Sequence, residues 1–176
     1  MKKRLLLWIS LLLLFSGCAP KIGKIHAMNE KKSESTAEIS IIRNGNVVGS
    51  AIRYYPTVND KKIVGLYTND YVHFYLKEGE YKFGLTYPDV AFGRWMKGNF
   101  IKKEVKAGMQ YYFLLSPTLL FTTEIEEVDK EAGEEMIPSS KLVKTGKLSD
   151  NPSSVAKAVK PIGHILGIEE NMDSAE

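Results

Sequence analysis

Residues 71–87, YVHFYLKEGEYKFGLTY, decide the fold. Val72, Phe74 and Leu76 alternate with Tyr71, His73 and Tyr75. After the turn Lys77-Glu78-Gly79-Glu80, the residues Tyr81, Phe83, Leu85 and Tyr87 share one side of a returning segment. Successive side chains of a strand point to opposite faces, so a period of two marks a pair of strands with one core-facing row each.

The same pattern repeats outward in both directions. AEISIIRNGN (37–46) sets Ile39 and Ile41 at period two and ends on Asn44-Gly45, a hairpin signal. SAIRYYPTV (50–58) is rich in β-branched and aromatic residues, Pro56 points to an edge or bulge, and Asn59-Asp60 marks a turn into KKIVGLY. Downstream come NFIKKEV, the Ala107-Gly108 turn, MQYYFLL with Tyr111, Phe113 and Leu115 aligned, and LLFTTEIEEV with Leu119, Phe121 and Ile125 set against Thr122, Glu124 and Glu126. Seven or eight short strands, closely spaced turns and no amphipathic helix among them predict an antiparallel β-sandwich over residues 37–148. About 110 residues suffice for one hydrophobic core.

The N-terminus has a different composition. Lys2, Lys3 and Arg4 precede an apolar run, Leu5 to Phe15, broken only by Ser10. At about 1.5 Å per residue, eleven residues reach about 16 Å against a hydrocarbon core of about 30 Å, so residues 1–17 read as an export signal and not as a spanning helix. Ser16 and Gly17 then lead into Cys18, the one cysteine of 176 residues, which excludes internal disulfides and Cys-rich metal sites.

The stretch LFSGC resembles a bacterial lipobox, with Phe15 where Leu is usual three positions before the cysteine. The resemblance implies cleavage before Cys18 and acylation of that residue. Two or three acyl chains hold a protein on a membrane almost permanently, whereas one does not. Ala19, in place of Asp, resembles the enterobacterial pattern for transfer to the outer membrane where the source has one. From Cys18 to Thr36 the polar composition predicts a flexible tether. About 18 residues of coil reach roughly 23 Å. Residues 149–176 read as a tail, mobile or briefly helical before Pro161.

Removing Lys2, Lys3 and Arg4 from 24 basic residues leaves 21 against 21 acids. A neutral mature chain lacks the positive field that nucleic acid requires, so no nucleic-acid partner is expected.

AEISIIR, VGSA, VNDKKIVGLYTNDYVHFYLKEGEYKFGL, VKAGMQYYFLL and EIEEVDKEAGEEMI together resemble the bacterial lipoprotein domain known as domain of unknown function 2846, over about two thirds of the chain. The resemblance implies a transthyretin-like or immunoglobulin-like sandwich on an envelope lipoprotein, with no catalytic residues to carry over.

Candidate sites are few. His73 is the one histidine within the predicted sandwich, with Asp70 and Ser50 as conceivable partners of a general base. No nucleophile elbow, zinc-helix motif or phosphate loop accompanies it, so an enzyme is not expected. The carboxylates between Glu124 and Glu135 fit no calcium loop and read as a solvated, edge-protecting hairpin turning at Glu131-Ala132-Gly133, so neither metal nor cofactor is expected. PDVAFGRWMKGNF (88–100) reads as a loop in which Phe92, Arg94, Trp95 and Met96 form a candidate contact surface for an envelope protein or glycan, or else an end cap of the sandwich. The expected role is a membrane-anchored, non-catalytic binding or structural module. The alternative is an envelope hydrolase or small-ligand carrier using His73 or an inter-sheet groove.

Overall fold

Thr36–Arg43 (β1) runs through the middle of a five-stranded sheet, and the β-branched sequence TAEISIIR explains why. Every residue of it but Glu38 is buried. The computed structural model describes residues 21–43, 45, 52–89, 94–117 and 123–149.

After β1 come Tyr55–Val58 (β2), Lys61–Lys62 (β3), Asp70–Lys77 (β4), Gly79–Asp89 (β5), Arg94–Val105 (β6), Gln110–Pro117 (β7) and Thr123–Val128 (β8). A helix, Lys130–Met136 (α1), a 3-10 turn at Ile137–Ser139 and Lys141–Leu142 (β9) follow. One sheet has the order β8-β7-β1-β4-β9 and the other β3-β2-β5-β6. The two form the predicted sandwich, with Ile39, Ile41, Val72, Phe74, Phe83, Leu85, Phe113 and Ile125 between them. Phe83 of β5 stacks on Phe113 of β7, ring centroids 4.4 Å apart, and so joins the layers. Burying one such side chain contributes about 1.5–3 kcal/mol.

Several expectations need correction. The five-stranded sheet is mixed and not purely antiparallel, since β1 pairs parallel with β7 and β4 parallel with β9. Asn44-Gly45 does not close a hairpin onto the next described strand, because β2 belongs to the other sheet and β1 has β4 and β7 as neighbours. The Glu131-Ala132-Gly133 turn is a helix whose N-terminus is capped by Asp129, Oδ1 accepting from the Ala132 N–H at 2.8 Å. By contrast, Asn59 and Asp60 make the predicted two-residue turn with φ of 48° and 62°, and β2 and β3 pair across it. Pro56 is not on an open edge as expected: β2 lies between β3 and β5, Pro56 stands opposite Leu85, and its carbonyl accepts from the Ile63 N–H at 3.1 Å on the other side.

Residues 21–35, expected as free coil, are bound along the body. The Ile22 carbonyl accepts from Lys62 Nζ at 2.9 Å, His26 N–H donates to the Lys62 carbonyl at 2.7 Å, and Met28 N–H donates to Thr145 Oγ1 at 3.1 Å. Cys18 and the tail from residue 150 onward lie outside the described residues.

Arg43 is 1 % exposed. Its guanidinium sits 3.8 Å from the centroid of the Tyr54 ring and donates to the carbonyls of Ile52 and Leu66. Burial lowers its pKa to about 10, so it is still a cation at neutral pH, and Asp70 lies opposite it in the β1–β4 register. A buried charge held in this way fixes the end of β1 against two chain segments.

Candidate functional site

The predicted contact loop is largely strand. β5 reaches Asp89 and β6 begins at Arg94, so only residues 90–93 separate them, and Phe92 lies outside the described residues. The remaining three candidates point in different directions. Met96 pairs with Tyr87 and packs against the core. Arg94 stands opposite Asp89 with Nε 3.3 Å from its carboxylate. Trp95 faces outward, where its indole N–H donates to the carbonyl of Lys21 at 2.9 Å. Its ring meets Tyr55 edge-on at 5.1 Å and carries the Lys62 ammonium 3.1 Å from its centroid. Partial burial lowers the Lys62 pKa.

Trp95 belongs to a wider surface that the loop reading missed. In the β5–β6 register Phe83 and Leu85 face the core, so Lys82, Gly84 and Thr86 face out, as do their partners Lys102, Phe100 and Lys97. Tyr55, Thr57 and Lys62 continue the same side across β2 and β3. Four lysines and two partly exposed aromatic rings thus share the outer face of the four-stranded sheet. Phe100 is 54 % exposed, and the Lys82 ammonium lies 4.6 Å from its ring centroid. Lys82 also holds Asp60 at 2.9 Å, and that hydrogen bond lowers the Asp60 pKa. The signal was present in the sequence, because Lys82 alternates with Phe83 as His73 does with Phe74.

The other outer face holds a different chemistry. Here Glu38 and Ser40 of β1 neighbour His73 and Tyr75 of β4 on one side and Gln110 and Tyr112 of β7 on the other. His73 Nε2 is 3.2 Å from Glu38 Oε1, and Nδ1 is 3.2 Å from Ser40 Oγ. Burial lowers the His73 pKa against the opposing pull of Glu38, and Lys32 lowers it further. A neutral ring donating Nε2–H to Glu38 leaves Nδ1 to accept the Ser40 hydroxyl. Gln110 Nε2 donates to the second Glu38 oxygen at 3.0 Å. Ser40 is 3 % exposed, so the chain closes inward on its hydroxyl. Helix α1 roofs the neighbouring strand, with a side-chain-free Gly133 against the Tyr112 ring. Beside this network an open groove of about 480 Å³ is lined by Lys32, Glu38, Tyr75, Met109, Gln110 and Lys130.

Of the partners conceived for His73, Asp70 is placed elsewhere. Asp70 shares the core-facing parity of Val72 and Phe74, and its carboxylate accepts from the Tyr67 N–H at 2.7 Å. Burial raises its pKa. Ser50 lies outside the described residues. The carboxylate run is divided among other tasks: Glu127 binds Lys103 at 2.8 Å, Glu134 lies 3.6 Å from Lys130, and Asp129 caps α1. Among the described residues, no three His, Cys, Asp or Glu side chains are placed to hold a metal ion.

Compared with known proteins, the chain matches no family model and no curated sequence.

Proposed function

We propose that the chain is an envelope lipoprotein, acylated at Cys18, whose sandwich serves as a non-catalytic binding or structural module at a membrane surface. The observation that carries this reading is the lone cysteine at the end of the apolar run, three residues before Lys21, whose carbonyl Trp95 ties to the body in the first such hydrogen bond among the described residues. An anchored domain so closely leashed acts by proximity. The groove beside its Glu38–Gln110 pair offers the two ammonium groups of Lys32 and Lys130 and the Tyr75 ring, a set that suits a polar envelope glycan or a protein segment. Metabolic labelling with an alkynyl fatty acid tests the anchor. The wild type is expected to take the label and pellet with membranes, and Cys18→Ser to lose both; equal behaviour of the two overturns the reading.

The specific observation favouring the alternative, an envelope hydrolase, is the Ser40–His73–Glu38 chain, a hydroxyl on a base that a carboxylate orients. The burial of Ser40 weighs against it, because a nucleophile must meet its substrate. Labelling of the wild type, but not of Ser40→Ala, by a fluorophosphonate probe would favour the hydrolase.

A further inference from the structure

We infer that the outer face of the four-stranded sheet docks on the anionic phospholipid headgroups of the membrane that holds the chain. The inference rests on acylation at Cys18 and adds an orientation to it.

The leash is the first argument. Three residue steps separate Cys18 from Lys21, a reach of at most about 11 Å. The Lys21 carbonyl is bound by Trp95 and the Ile22 carbonyl by Lys62, both on this face. An acylated residue eighteen therefore pulls this face, and not the opposite sheet, toward the bilayer.

Charge is the second. Lys62, Lys82, Lys97 and Lys102 project from the face, whereas the opposite side of the sandwich exposes Glu124, Glu126, Glu131 and Glu134 alongside Lys32 and Lys130, the latter 3.6 Å from Glu134. The acids on the lysine face itself are Asp60, engaged by Lys82, and Glu80 with its register partner Glu104. Glu80 and Glu104 lie two residues, about 7 Å, from Lys82 and Lys102, inside the screening length of about 8 Å at physiological salt and so partly offset them. Lys97, opposite Thr86, is six residues along, about 20 Å, so the end of the face that holds Lys62, Trp95 and Lys97 keeps its positive charge.

Side-chain type is the third. Indole and phenyl rings beside lysines whose stems lie along apolar surface are the groups that settle at the level of lipid headgroups, and Trp95 and Phe100 occupy that position here.

Removal of residues 1–17 also removes Trp8, which leaves Trp95 as the one tryptophan of the acylated chain. The full acylated protein, reconstituted in vesicles, then reports on this face through its own fluorescence. Brominated phosphatidylglycerol mixed into phosphatidylcholine vesicles is expected to quench Trp95, and high salt to relieve the quenching. A Lys97→Ala plus Lys102→Ala variant should shift the docked-to-undocked ratio by roughly fivefold per lysine removed. Equal quenching by brominated phosphatidylcholine and phosphatidylglycerol, or none while the protein still floats with the vesicles, overturns the docking and leaves the anchor standing. Protein that fails to float with vesicles and whose N-terminal peptide shows no acyl mass overturns both.

Discussion

The two outer faces of the sandwich arise from the same alternation of side chains but are finished differently. On the five-stranded sheet, polar groups close on one another: Glu38, Ser40, His73 and Gln110 form one hydrogen-bonded set, and α1 covers the adjoining strand. On the four-stranded sheet, lysines and aromatic rings stand beside each other, with residues 21 and 22 crossing at one end. Both faces are polar by composition. The difference teaches that period two tells which residues leave the core, while only the third dimension tells whether they then satisfy one another or remain available to a partner.

The strongest way to break the contrast is to unseat the roof. A Cβ at Gly133 would collide with the Tyr112 ring, which itself is buried. Gly133→Val is expected to lower unfolding free energy by about 1–3 kcal/mol, the usual cost of overpacking a filled interface. Denaturant titration of the two proteins measures it. A neutral result would mean that α1 contributes nothing to this face, and the two faces would then be alike.

What the sequence disclosed and withheld follows the range of the interactions. Val72, Phe74, Phe83 and Leu85 announced both sheets because alternation is local, and Asn59-Asp60 and Ala107-Gly108 announced turns for the same reason. Helix α1 was illegible because seven residues make only two turns, too few for a 3.6-residue period to show, and Gly133 within it reads as a turn residue. The parallel pairing of β1 with β7 joins segments about seventy residues apart and leaves no local trace. The burial of Arg43 depends on the carbonyls of Ile52 and Leu66, which its strand does not contain. As for the candidate site, Trp95 was identified as a contact residue but placed in a loop, because Gly93 and Gly98 flank it. Its partners Lys62 and Lys21 come from distant parts of the chain. The Ser40–His73 contact follows from strand register alone.

A middle-sized effect sharpens the closed face. Ser40→Ala removes the donor to His73 Nδ1 and is expected to cost about 1 kcal/mol. The histidine also sets a pH dependence. Its folded pKa lies below the ordinary 6.5, so between the two values the unfolded chain binds the proton more readily, and stability falls as pH drops through that window. Asp70 acts in the opposite sense, because its raised folded pKa makes the native state take up a proton first as pH falls toward 3.8. The early loss on acidification therefore belongs to His73. Stability measured against pH should decline just below 6.5 in the wild type, and His73→Gln should flatten that part of the curve. An unchanged slope in the variant would assign the decline to another group.

The smallest effect is expected where the open face is truncated. Lys97 and Lys102 are exposed, and substitutions on such surfaces stay within about 0.5 kcal/mol when no packed or paired group is lost. Lys97→Ala and Lys102→Ala should therefore leave the denaturation midpoint in place, singly and together, while the same pair weakens association with anionic vesicles. Stability and binding then separate on this face. On the closed face they cannot, because any ligand reaching Glu38 meets a carboxylate already shared by His73 and Gln110. Should the lysine variants unfold as readily as the Gly133 variant, the lysines would be holding the sheet together, and the availability ascribed to them would be lost with the contrast.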